Sequence, residues 1–423
     1  MSLAAIVAVV AIIALAFRFT ITPTPVTPGG SPTPNATASP SGSPAPSGSA
    51  APTAVPSPTA ATATVPPLST TAWTGLTASA IAAPAPATPT IVRWSGGYFA
   101  IGGETADGPQ RAWLSRDGRA WTELPASTFG LDDPTGNTLF NAAAGCGDRL
   151  LVEIDVTTPS GTGTVSLWSS SDGTTWTQAA FHNDSRGTLV ARGSVAVADT
   201  ETGGAAANGT ALLVSTDCAT WQRVSLPGPA VAQITDLGVN ANGFVAVGWS
   251  GDQASTTAKP LAWYSSDGQQ WSAATIKSAQ TDEGFFQVSA GANGFIALTT
   301  NPGLTPGTSR LWASSDGRSW APTSADPLGT VQSGEGVGAL AGSFTGDGTR
   351  LLAYGQPGTS PANDTAAGQA EYFISADGVH WTQLAISGPA ATAVLADQYP
   401  VPILMLDGVL FSSGSAAGDW FGT

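Results

Sequence analysis

Charge is scarce in this chain of 423 residues, and positive charge scarcest: 14 Lys and Arg stand against 29 Asp and Glu, for a formal net charge of −15. An acidic surface excludes nucleic acid and anionic lipid headgroups as electrostatic partners, and its plainest use is solubility. Two cysteines and two histidines leave no cluster at metal-ligand spacing, so neither a metal nor another cofactor is expected. No Ser-His-Asp set is present, because His182 falls in a loop and His380 in a tight turn, with no motif around either. The glycine-rich stretch Gly334-Glu335-Gly336-Val337-Gly338 leads into a strand rather than a helix, which excludes a phosphate cradle.

Long apolar runs are also missing, with one exception at Leu3 to Phe17. Fifteen helical residues rise about 22 Å against a hydrocarbon core of about 30 Å, and Arg18 to Ile21 bring the stretch near spanning length. No Lys or Arg precedes the run and no Cys follows it, so a lipoprotein anchor has no support. Residues 1–21 are expected to be an N-terminal membrane helix and anchor, with a cleaved signal peptide as the alternative. Residues 22–70 are nearly all Thr, Pro, Ser, Ala and Gly, without a charge. Such a segment buries too little to offset its conformational entropy, so a disordered, extended stalk is expected. Asn35-Ala36-Thr37 is a glycosylation sequon by pattern. The chain is then extracytoplasmic, membrane-anchored at a cell surface or else secreted.

What the rest of the chain does have is a repeat. Ser-x-Asp-Gly-x-x-Trp occurs with Asp117 and Trp121, Asp172 and Trp176, Asp267 and Trp271, Asp316 and Trp320, and Asp377 and Trp381; a sixth copy, with Asp217 and Trp221, has Cys218 in place of Gly. The Asp-to-Asp spacings of 55, 45, 50, 49 and 61 residues are those of a propeller or repeat array. Asp-Gly supplies the positive φ of a tight hairpin, and the Ser and Asp oxygens can accept backbone N–H groups within it. The Trp is expected to pack between neighbouring sheets. Six near-identical copies cannot all be one active site, so these Asp residues are expected to be structural.

Each repeat divides into four short apolar runs with turn signals at both ends, such as Ile234–Asn240, Phe244–Trp249, Leu261–Ser265 and Gln270–Thr275. The pattern gives blades at about 88–125, 138–181, 187–226, 232–276, 284–323 and 335–386. After Pro400 three more runs follow, ending at Trp420, while Thr71 to Leu76 reads as an outer strand without a blade of its own. The expectation is therefore an all-β domain over 71–423, a seven-bladed β-propeller of four-stranded antiparallel blades closed by the N-terminal strand. Cys146 and Cys218 fall in turns at one end of adjacent blades, where either a disulfide or two independent core-like residues would fit.

The repeats resemble the Asp-box, or bacterial neuraminidase repeat, of sialidase-like β-propellers, whose pattern is Ser-x-Asp-x-Gly-x-x-Trp; each turn here is one residue shorter. The resemblance implies a ligand face opposite the Asp boxes. For a sialidase it implies three arginines, a Tyr–Glu pair and an acid/base Asp, with an Arg-Ile-Pro signature in the first blade. Here that region reads Ile91-Val92-Arg93-Trp94-Ser95, with no Ile-Pro after the arginine. Arg149 and Arg350 fall at the Asp-box end, Arg111, Arg186 and Arg192 are expected nearer the opposite face but follow no family motif, and Tyr354, Tyr372 and Tyr399 lie in no recognisable Tyr–Glu segment. Loop acids Asp132, Asp133, Asp184, Asp282, Glu283, Asp326 and Glu335 collect at the opposite end, where solvation is their plain use. No catalytic residue is assigned. The expected role is a monomeric, non-catalytic propeller that binds a surface glycan, peptide or protein, with a glycoside hydrolase of exo-sialidase type as the alternative.

Overall fold

The computed structural model describes most of residues 90–387, with further strands at 73–76 and 401–422; it leaves out residues 1–72 and 77–89, together with 104–109, 131–136, 158–162, 183–187, 201–209, 252–257, 301–309, 328–341, 356–370, 388–400 and shorter gaps. The described residues fall in one compact unit, Thr62–Thr423. The expected membrane helix over 1–21 and the linker over 22–70 lie outside them. Among the described residues no helix is long and apolar enough to cross a membrane. The helical content there is a single 3-10 turn at Ala126–Thr128.

The first strand, β1 (Trp73–Leu76), precedes the blades. Blade one is β2 (Thr90–Trp94), β3 (Gly97–Gly103), β4 (Gln110–Ser115) and β5 (Thr122–Glu123). Blade two is β6 (Asn137–Cys146), β7 (Arg149–Thr157), β8 (Gly163–Ser170) and β9 (Thr177–His182). Blade three is β10 (Leu189–Arg192), β11 (Val195–Asp199), β12 (Ala211–Ser215) and β13 (Trp221–Ser225). Blade four is β14 (Ala232–Asn240), β15 (Gly243–Ser250), β16 (Lys259–Ser265) and β17 (Ser272–Ala273). After β18 (Thr275–Ile276), blade five is β19 (Gly284–Gly291), β20 (Gly294–Thr300), β21 (Arg310–Ser314) and β22 (Ser319–Pro322). Blade six is β23 (Gly342–Gly346), β24 (Leu351–Gly355), β25 (Glu371–Ser375) and β26 (Thr382–Gln383). Then come β27 (Ile386–Ser387), β28 (Val401–Leu406), β29 (Val409–Gly414) and β30 (Gly418–Gly422).

Six four-stranded antiparallel blades, not the seven expected, are built from consecutive strands of one stretch of chain, and these are the six that carry the motif. The remaining sheet is of another kind: five strands in the order β27-β1-β30-β29-β28, drawn from both chain ends, with one parallel pair. In it Gly75 lies opposite Gly422 and Leu76 opposite Phe421, while Trp73 runs parallel to Ile386. The first strands of successive sheets adjoin from β2 through β6, β10, β14, β19 and β23 to β28, and β28 adjoins β2, so the innermost strands form a closed ring. The parallel pair has a counterpart in blade five, where β18, leaving blade four, pairs with β22 along the outer edge.

Second strands are buried on both faces because a blade packs on each side; in β15 seven consecutive residues from Gly243 to Trp249 are buried. The core is thus a set of clusters between blades rather than one centre. Val197, Leu212 and Val214 of blade three meet Ile234, Leu237 and Phe244 of blade four. Val245 and Val247 of blade four meet Phe285, Phe295 and Trp312 of blade five. Each described motif Trp from Trp176 onward packs into the cluster joining its blade to the one before. Trp320 alone is fully buried. The reason is β18, whose Ile276 lies in register with Trp320 and packs on that cluster, whereas the other five Trp rings keep part of their surface exposed.

Candidate functional site

In an antiparallel blade the first and third turns lie at one end, so every motif turn shares an end with the first hairpins. The motif residues there are consumed by their own backbone. In five turns the Ser Oγ accepts the Gly N–H at 2.8–2.9 Å. In the same turns the Trp indole N–H donates to the Gly carbonyl at 2.8–3.1 Å. The Asp Oδ1 accepts the N–H three residues on, as with Thr175 at 2.7 Å and Gln270 at 2.8 Å. The glycines hold φ between 73 and 77°, a region that a Cβ disfavours. Backbone N–H groups of Thr175 and Thr174 hold the Asp172 carboxyl well below the usual carboxylate range, and Thr220 does the same for Asp217.

The third turn departs from the other five. Cys218 takes φ 58°, the one positive φ outside glycine among the described residues. It is joined to Cys146 of blade two, with the Cα atoms 5.8 Å apart. The indole N–H of Trp221 is buried without a hydrogen-bond partner, so this turn lacks the Trp-to-Gly bond of the others. Two arginines strap neighbouring blades at this end. Arg192 of blade three donates to the carbonyls of Asn240, Ala241 and Ser266 and lies over the Phe244 ring, and Arg318 lies 3.9 Å over Tyr264.

The other end holds a different set of groups, centred on the innermost strands of blades four and five. Both strands bulge, at Ile234/Asp236 and at Phe285/Gln287, so Thr235 and Phe286 are the extra residues. The Thr235 hydroxyl donates across to the Phe285 carbonyl at 2.9 Å, and Asp236 accepts the N–H groups of Leu237 at 2.8 Å and Val288 at 2.9 Å. Asp236 keeps some accessible surface, yet protein crowds its carboxyl, and desolvation pushes its pKa up to about 7. The Asp199 carboxylate at the end of β11 adds to that rise. Phe286 is 52% exposed, one of two large apolar side chains so exposed among the described residues.

Trp249 packs its ring against Gly284, and its indole N–H is buried without a partner. Glu283 is neutralised by Arg310 at 3.1 Å and accepts from Thr299 at 2.8 Å; Arg310 stacks on Trp312. On the far face of blade five a shallow recess, with room for about one water, is lined by Gln287, Ser289, Ile296 and Leu311. A further acidic stretch lies on β7, where Glu153 is fully buried and accepts from Asn141, and burial pushes the Asp155 carboxyl up.

The structure therefore brings together few of the residues singled out in the sequence. Arg149 bonds Ser169 at the motif end, and Arg111 pairs with Glu123 at 3.6 Å. Of the loop acids, Glu283 is described; Asp132, Asp133, Asp184, Asp282, Asp326 and Glu335 lie outside the described residues, as do Arg186 and Tyr399. Tyr372 is buried. No group of acids, His or Cys among the described residues could hold a metal. Asp199, Asp236 and Phe286 were not anticipated. The signal for Asp236 was in view: it is the one charge in the inner strand Ile234–Asn240.

Ring and strand pairing define the class: an all-β propeller. No protein-family model matches the sequence, and no curated protein matches it. Similar solved structures include a Trypanosoma rangeli sialidase in complex with sialic acid, at 14% identity and TM-score 0.39, covering 84% of this chain and 56% of the sialidase. A phage phi92 endosialidase is similar at 13% identity and TM-score 0.39, over 83% of this chain and 68% of that one. The β-propeller domain of the Trilobed protease from Pyrococcus furiosus is similar at 8% identity and TM-score 0.44, over 80% and 93%. The chain thus spans little more than half the length of the Trypanosoma enzyme, and its fold rests on its own strand pairing.

Proposed function

We propose that this chain is an Asp-box propeller of sialidase-like build whose role is to bind, outside the cytoplasm, a surface glycan, peptide or protein. In this reading the N-terminal segment holds it to a membrane, and the ligand engages the end of blades four and five away from the motif turns. One observation carries the reading: Phe286 is 52% exposed on a bulge of blade five, two residues from the Val288 N–H that Asp236 of blade four holds. An exposed ring flanked by hydrogen-bonding groups is the usual make-up of a small-ligand or sugar subsite, and the buried indole N–H of Trp249 adds a donor in search of an acceptor. At the motif end the Ser, Asp and Trp groups are spent on their own turns, and the exposed His380 ring is already bonded to Asp377 at 2.7 Å.

A glycan array probed with the full chain and with Phe286→Ala tests this. Selective retention by the native protein, reduced at least tenfold in the variant, is expected; equal signals from both would sink the assignment of this end. A second reading, a glycoside hydrolase, is favoured by one feature, a carboxyl of pKa about 7 beside the carboxylate of Asp199, because glycosidases work with one protonated and one ionised acid. Turnover of aryl glycosides that disappears in Asp236→Asn would favour it over binding alone.

A further inference from the structure

We propose that Thr235 and Asp236 form a pH-set latch between the innermost strands of blades four and five, and that the latch controls how Phe286 is presented. The inference deepens the binding reading and rests on it for the ligand; the latch itself rests on geometry. Three hydrogen bonds define it. The Thr235 hydroxyl reaches the Phe285 carbonyl at 2.9 Å, and the Asp236 carboxyl ties the N–H of Val288 at 2.9 Å and that of Leu237 at 2.8 Å. The two cross-blade bonds land on either side of Phe286, so the bulge that exposes this ring is pinned at both its shoulders.

The groups that face the latch set its response. On β14 Asp236 is the one charged residue, and β15 and β19 carry none. β11 contributes Asp199, whose charge opposes ionisation of Asp236. The charges of β10 and β16 lie at strand ends, Arg192 held by carbonyls at the motif end and Lys259 exposed. Glu283, just ahead of β19, is neutralised by Arg310. With no cation facing it among the described residues, the carboxyl is favoured as the neutral acid while latched. A released side chain, turned to water, has an ordinary carboxylate pKa of about 4. The latched form therefore binds the extra proton. Its contribution is complete below about pH 4, declines as pH rises toward 7, and levels off above that.

Hydrogen-exchange mass spectrometry on the full chain reads this directly. After correction for intrinsic rates, exchange across residues 284–291 is expected to rise by up to tenfold per pH unit between about pH 4 and 7, then plateau. Asp236→Asn, which retains an acceptor for Val288, should show a flat profile. Asp199→Asn, which leaves the latch in place, should reach its plateau at a lower pH, and serves if the first variant folds poorly. A flat profile in the native protein, or the same rise in Asp236→Asn, overturns the latch. The glycan array run at pH 5 and pH 8 reads the coupling separately: binding that changes with pH in the native chain and not in Asp236→Asn supports it. An opening latch with binding unchanged by pH overturns the control of Phe286, and no retention at either pH sinks the binding reading while the exchange profile still judges the latch.

Discussion

At Cys218 a side chain occupies a backbone position that five sister turns give to glycine. A left-handed φ with a Cβ costs about 1 kcal/mol, and the turn also lacks the indole-to-carbonyl bond of the others. What offsets this is the link to Cys146, which closes a loop with a sequence separation of 72 residues. Restricting an unfolded chain over such a span is worth roughly 4 kcal/mol in the loop-entropy picture, with engineered cases often falling short. Cys146→Ala is therefore expected to lower stability by about 2–4 kcal/mol in urea denaturation, and adding Cys218→Gly to recover about 1 kcal/mol. Thiol labelling of the native protein should find neither cysteine reactive. Two free thiols would remove the premise, and a double variant no better than the single would deny the turn its strain. Asp172 and Asp217 titrate in the opposite sense to Asp236. Their carboxyls are held low by backbone N–H groups, so what they contribute is present above about pH 4 and lost as pH falls below it. Asp172→Ala should destabilise by about 1 kcal/mol at pH 7 and by less at pH 3, checked by denaturation at both values.

Among elements, legibility followed side-chain pattern. The six blades were readable because each repeats a turn whose chemistry needs Ser, Asp, Gly and Trp at fixed offsets, and the strand limits of blade four came within about two residues of those found. The short outer strands were read too long: Gln270–Thr275 became a two-residue pairing at Ser272–Ala273. The strands β18 and β27 were not readable at all, since a two-residue parallel pairing uses backbone groups that every sequence possesses. For the same reason the terminal sheet is a five-stranded composite rather than a further copy of the repeat. In it β1 lies between β27 and β30, so two sets of backbone bonds depend on four residues. Removing residues 73–76 should expose both neighbours as edges. The expected outcome is a fall in Tm of several degrees and faster proteolysis near β28 to β30, followed by limited digestion and peptide mapping; unchanged digestion would mean that the sheet does not need β1.

For the whole molecule, the proposed site was the least legible part, because its members come from three blades: Asp199 from the third, Asp236 from the fourth and Phe286 from the fifth. No local pattern joins them, and the bulges that place Thr235 and Phe286 leave no mark in strand periodicity. Charge acts at this scale as well. With a net charge of −15 the folded state repels itself, and salt screens that repulsion over a Debye length that shrinks from about 30 Å at 0.01 M to about 8 Å at 0.15 M. Tm should therefore rise by a few degrees over that range at pH 7, and a fall would show that specific ion pairs outweigh net repulsion.

The position of β1 has a mechanical consequence. Any pull on the chain ahead of Trp73 enters the propeller along the axis of a strand held on both sides, antiparallel to β30 and parallel to β27. A load in that direction shears its backbone bonds together, where a load across an outer edge would peel them one after another. A pull on the chain would thus meet its resistance where the first and last strands share a sheet.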